Sequence, residues 1–201
     1  EISEAEYKSG AYEAIPGPYG AHNWHPMSYS PNTGLVYIPA QNIPMVFEDD
    51  PNWVANSTAS GGLQSGTGWN TGILPSFVPV KSATFGLLLA WDPVKQKAAW
   101  KVDHIGPFNG GTLSTAGNLV FQGTADGRFV AFNATNGDQL WEAQVGTGVI
   151  AAPVTYEVDG QQYVSIAAGW GGTYGLTEHH SESQSPGRIF TFALNSNTPM
   201  P

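Results

Sequence analysis

The 201-residue sequence predicts an all-β fold made of repeated antiparallel meanders. Three observations lead there. The segment AWDPVKQKAAW, Ala90 to Trp100, returns as AFNATNGDQLW, Ala131 to Trp141. Both read Ala, an aromatic residue, Asp or Asn, a turn, and then a closing Trp. Asp-Gly pairs in ADGRF and VDGQQ are the strongest short hairpin signal. Finally, 25 Gly, 15 Pro and 7 Trp accompany only 11% charged residues. That composition suits turn-rich strands better than helices, and its aromatic content argues against disorder.

The strands follow in order. FGLLLAW and GRFVAFN precede the two Trp frames and match each other as apolar strands. A second set, NTGLVYIPA and TAGNLVFQGT, places turn residues before a short β-branched and aromatic run. DGQQYVSIAAG is a looser third copy. A strand pair is expected around residues 20–40. Residues 81–105 continue a unit, 109–146 make a complete one, and 149–193 make another. GRIFTFALN resembles GRFVAFN but lacks the closing Trp. Residues 42–80, rich in Gly, Ser, Asn and Trp and without a period, read as a long insertion. The tail, about 195–201, reads as a disordered end or the start of a linker.

A period in the forties with four strands per unit points to a β-propeller. A β-sandwich with similar hairpins is the alternative, and the recurrence of the Ala…Trp frame disfavours it. Three to four blades are present. A closed propeller needs at least four, so residues 1–201 are expected to form part of a larger propeller, completed by more of its own chain or by a partner.

Charge and composition exclude several functions. Seven Lys and Arg against sixteen Asp and Glu give a net charge of −9. Phosphate neutralisation needs a basic footprint, so nucleic acid is not an expected partner. No apolar run is long enough to span a membrane as a helix. With no Cys, the chain has no disulfide, thiolate zinc site, covalent haem attachment or thiol catalysis. The start, EISEAEYKSG, lacks the apolar core of a signal peptide.

Several long motifs carry a family likeness. GGTLSTAGNLVFQGTADGRFVAFNATNGDQLW, GVIAAPVTYEVDGQQYVSIAAGWGG and HNWHPMSYSPNTGLVYIPAQ together resemble the C-terminal part of PQQ-dependent alcohol dehydrogenases, of the quinoprotein and quinohaemoprotein type. The likeness runs from about residue 17 to 194. It implies blades of an eight-bladed propeller, with Trp100 and Trp141 in tryptophan-docking motifs. It implies pyrroloquinoline quinone (PQQ) and a calcium ion at the axis, with the calcium ligands and the catalytic aspartate outside this chain. It further implies a small alcohol as substrate, a cytochrome as electron acceptor and a bacterial periplasmic location. By the same resemblance Asn23 bonds the quinone edge, with Trp24 beside it. Phe108 and Asn109 stand at a position facing the ring system, and Trp170 and Gly171 border the pocket. The chain alone is expected to be inactive. A non-catalytic propeller scaffold for protein contacts is the alternative function.

Other candidates have plainer readings. His22 and His25, three apart on a strand, point to opposite faces and do not form a metal pair. His179 and His180 read as surface residues. Trp24, a large indole before a strand, also suits a core position. Asn23 can otherwise cap a loop backbone. Trp170, between glycines, sits where the backbone can approach a ligand closely. Asn56-Ser57-Thr58 and Asn133-Ala134-Thr135 fit the glycosylation sequon, and stay unmodified in a periplasmic protein. Glu48, Asp49 and Asp50 read as a solvated acidic loop, lacking the alternate ligand spacing of a calcium loop.

Overall fold

In the computed structural model, residues 10–50, 73–75, 79–169 and 186–196 are described. Among them all regular structure is strand: fourteen strands in four antiparallel sheets. No helix there is long and apolar enough to cross a membrane.

Two compact units form, each built from two separated stretches of chain. In the smaller, Glu1–Ala21 with Asn42–Thr84, β1 (Tyr12–Ala14), β4 (Met45–Asp49) and β5 (Ile73–Pro75) make one sheet in the order β1-β4-β5. The Glu13 carboxylate accepts backbone N–H bonds from Lys81 and, at 2.8 Å, Ser82. Those bonds hold its carboxyl below the usual range. Residues 42–80 are therefore not loop throughout. Met45-Val46-Phe47 is a short apolar run that finds a partner strand, and Val46 and Phe47 are buried. Nor is the acidic run a solvated loop: Glu48 and Asp49 end β4, and Asp50 is buried.

The larger unit, His22–Gln41 with Phe85–Pro201, holds three sheets. The first runs β2 (Ser28–Ser30), β3 (Leu35–Asn42), β6 (Phe85–Asp92), β7 (Lys97–His104). The second runs β8 (Thr112–Ser114), β9 (Leu119–Gly123), β10 (Arg128–Asn133), β11 (Gln139–Gln144). The third has β12 (Val154–Val158), β13 (Gln161–Ala168) and β14 (Arg188–Ala193). The first sheet thus joins strands from both sides of residues 42–80, as the repeat requires. Asp159 and Gly160 both take positive φ, making the two-residue turn between β12 and β13.

The repeat is visible in the register. Ala90 lies opposite Trp100, and Ala131 opposite Trp141. In both pairs the register shifts immediately after the alanine, a bulge that bends the outer strand. The sheets stack face to face through two apolar clusters. Leu35, Tyr37, Leu88 and Ala90 of the first sheet meet Val120, Val130 and Phe132 of the second, together with Ala134 of its β10–β11 turn. Phe129 and Val145 meet Ile166 and Ala168 of the third. Trp100 closes the first joint. Its indole N–H donates to Ala134 O at 3.1 Å, and a Cβ on Gly137 would sit 2.7 Å from its ring. Trp141 instead packs edge-on against Phe129 and Phe192, beside an open cleft of about 1000 Å³.

Candidate functional site

Two segments some eighty residues apart meet at the β2 and β8 end of the larger unit. Ala21–Met27 is a bent loop before β2, and His104 leads through Gly106–Gly111 into β8. Thr112 N–H donates to Pro26 O at 2.9 Å, and the Ser28 and Thr112 hydroxyls stand 2.9 Å apart. Thr112 also donates its hydroxyl to Tyr37 O at 3.1 Å. Gly111 allows the approach, since a Cβ there would lie 2.7 Å from Pro26 Cδ.

On the first segment, Asn23 is exposed, and its Oδ1 accepts the Trp24 N–H at 2.9 Å. Trp24 is 54% exposed. His22 Nδ1 lies 2.8 Å from Pro39 O. His25 is 3% exposed and packs against Trp24 and Phe108. Burial, reinforced by the nearby charge of His22, pushes its pKa down to about 4. The two histidines take separate partners, and the segment that carries them is a bend, not the strand that the alternation argument assumes. Among the described residues no cluster of three ligands that could hold a metal occurs.

On the second segment, Phe108 is buried with φ of 59°, and its N–H donates to Gln41 Oε1 at 3.1 Å. Asn109 is buried and committed to backbone at both ends of its amide. It donates to Gly106 O at 2.8 Å and accepts from Ala125 N–H at 3.0 Å. Behind it, His104 Nε2 lies 3.0 Å from Gln122 Oε1, and Gln122 donates to Gly110 O at 2.9 Å. Burial holds the His104 pKa low, against a smaller raising effect of the Gln122 bond.

A third segment approaches from the β13 end. Gly169 N–H donates to Gly148 O at 3.0 Å, and a Cβ on Gly110 would lie 2.5 Å from Ala151 O. Trp170 and Gly171, next in the chain, lie outside the described residues, as do His179, His180 and Asn56.

The sequence pointed to Asn23, Trp24, Phe108 and Asn109. It did not single out Gln41, His104 or Gln122, which carry the polar support. Gln122 had a readable signal: a lone amide inside the apolar strand LVFQG. No Asp, Glu, Lys or Arg occurs between residues 17 and 41 or between 105 and 123. The converging segments therefore offer a flat aromatic face, neutral amides and glycine backbone. They suit the face and neutral carbonyl edge of a planar ring better than a carboxylate or a cation.

Comparison with known proteins gives the family. The profile of the family "PQQ: Glucose/ethanol/alcohol dehydrogenase, beta-propeller domain" matches residues 7–164. The quinohemoprotein alcohol dehydrogenase of Comamonas testosteroni is 60% identical over 200 residues, which are 100% of this chain and 28% of that protein. The 1-butanol dehydrogenase (cytochrome c) of Thauera butanivorans is 58% identical over 187 residues, 93% of this chain and 27% of that protein. The crystal structure of the Comamonas testosteroni enzyme superposes with a TM-score of 0.88 at 59% identity, covering 100% of this chain and 30% of the other. The chain thus spans less than a third of the length of these relatives. Its sheets are propeller blades, and the chain belongs to the family of PQQ-dependent glucose, ethanol and alcohol dehydrogenase β-propeller domains.

Proposed function

We propose that this chain is a segment of a PQQ- and calcium-dependent alcohol dehydrogenase that oxidises alcohols to carbonyls, and that it supplies one wall of the quinone pocket. The observation that carries this is the meeting of the Asn23–Pro26 loop with the Phe108–Thr112 loop, charge-free on both sides. PQQ is a planar ortho-quinone bearing carboxylates, and when bound it takes up the electrons removed from the alcohol. Asn23 and Trp24 fit its carbonyl edge and ring face. The carboxylates and the calcium ion need charged partners, which these loops lack. Those partners, and the carboxylate that removes the substrate proton, belong outside this chain.

Each residue here then has a positioning or contact role. Asn23 donates to a quinone oxygen through its amide, and Trp24 lends its exposed face. Asn109 shapes the wall by clamping Gly106 to Ala125. Trp170 and Gly171 border the pocket beyond Gly169. The whole enzyme acts in the bacterial periplasm and passes electrons to a cytochrome, the latter in line with the name of the Thauera butanivorans relative. A scaffold without chemistry is not favoured: the loops that meet here lie within a 60% identical match to an alcohol dehydrogenase that covers the whole chain.

The test is reconstitution of the full-length parent. Apoprotein titrated with PQQ and calcium should bind the quinone and gain dye-linked alcohol oxidation only on loading. Absence of both binding and turnover sinks the reading. The 201-residue chain alone should show no turnover with any alcohol.

A further inference from the structure

His25 is the least explained residue at this end of the unit. It is 3% exposed, and its Nε2 is buried with no hydrogen-bond partner. A phenylalanine would fill the same slot without leaving a polar atom unpaired. Its surroundings are aromatic on two sides. The imidazole lies face to face with Trp24, ring centroids 4.1 Å apart at 22°. Phe108 meets it edge-on at 5.6 Å and 76°.

Phe108 is itself fixed. It is 4% exposed, its φ is 59°, and Gln41 holds its N–H. A non-glycine residue at such an angle is retained where its surroundings determine it. The contacts thus run from anchored Phe108, edge-on, to buried His25 and from its face to half-exposed Trp24. Only the outermost ring meets solvent. A Trp on a bent loop without such backing would sample several rotamers, and immobilising it on binding would cost affinity.

Resting on the assignment of Trp24 to the quinone pocket, we infer that His25 is a positioning residue. Its flat ring, braced edge-on by Phe108, sets the plane in which Trp24 offers its indole to PQQ. His25 does not touch the cofactor. It acts by pre-organising the ring that does.

The experiment uses the full-length parent as apoprotein, with His25→Phe, His25→Leu and Trp24→Ala variants. PQQ binding is followed by titration. The Trp24 environment is followed as the difference in emission between each protein and its Trp24→Phe counterpart. His25→Phe keeps a flat ring and should bind PQQ within about 2-fold of wild type. His25→Leu fills the volume but is not flat, and should weaken PQQ about 10-fold and shift the Trp24 emission. Wild-type PQQ affinity in His25→Leu overturns the inference, as does His25→Phe binding as weakly as His25→Leu. If Trp24→Ala binds PQQ as wild type does, the pocket assignment fails and the positioning role falls with it. If Trp24→Ala binds weakly while His25→Leu does not, the positioning role alone fails.

Discussion

The indole N–H of Trp100 and the carbonyl oxygen of Ala134 lie 3.1 Å apart across two successive blades. The same carbonyl accepts the Tyr37 hydroxyl at 2.9 Å. One backbone oxygen of the second blade therefore ties down two aromatic side chains of the first. Burial raises the pKa of that tyrosine, so it stays a donor at neutral pH. In the full-length parent, Trp100→Phe should lose the hydrogen bond but keep most of the ring, at about 1 kcal/mol. Trp100→Ala should cost about 3–5 kcal/mol. Equal losses for the two, read from urea denaturation midpoints, would mean the bond and not the ring holds the joint.

Gly137 and Gly160 give a matched pair for the same joint. Their φ angles are +80° and +78°. A Cβ on Gly137 would press on the Trp100 ring at 2.7 Å, whereas nothing lies within 4 Å of one on Gly160. Gly160→Ala should therefore cost only the left-handed backbone penalty, about 1–2 kcal/mol. Gly137→Ala should cost roughly 2 kcal/mol more, from overpacking. In a Trp100→Leu background that excess should vanish, which a double-mutant cycle measures.

Asn23 and Asn109 are both cofactor candidates in the sequence, one for the quinone edge and one facing the ring system, and the structure gives them different surroundings. Asn109→Ala leaves the half-buried Gly106 O and Ala125 N–H without their side-chain partner, which should cost about 1–3 kcal/mol. Asn23→Ala, at an exposed site, should cost less than about 1 kcal/mol and yet weaken PQQ binding by roughly 10-fold. If the stability losses came out reversed, the contact and clamp roles assigned to the two would be exchanged.

The blade frame was legible because it is a register property. Each Ala faces its Trp across a strand pair with a bulge just behind it, so the spacing is fixed by hydrogen bonding. The candidate site was only half legible. HNW stood out as a polar-aromatic cluster and FNGG through the family resemblance, but their meeting depends on Thr112, Pro26 and Gly111, which look ordinary in sequence. The inward turn of His25 was not legible either. The strand-alternation argument about the two histidines does not apply, since the backbone bends at Ala21–His25. The strands at 45–49 and 73–75 were missed because the sheet they form is built from short pieces: β4 pairs with β1 and β5, each only three residues long.

The buried neutral imidazole of His25 makes a pH prediction with a definite sign. Its pKa falls from 6.5 to about 4 on folding, chiefly through burial and secondarily through the charge of His22. Trp24 and Phe108, the rings against it, carry no charge. Between those two pH values the unfolded chain binds a proton that the folded one does not. Stability therefore rises with pH across that window and is complete above 6.5. Acidification through it should remove at most about 3 kcal/mol. His104 acts in the same direction, and carboxylates titrate nearby in pH, so the wild-type curve alone does not isolate His25. The difference between wild type and His25→Phe does, because every other group is shared. Urea midpoints of the full-length parent should converge with, or fall below, those of His25→Phe as pH drops from neutral to ~4. Parallel curves for the two proteins would mean that His25 gains its proton without cost, and that its ring is not sealed between Trp24 and Phe108.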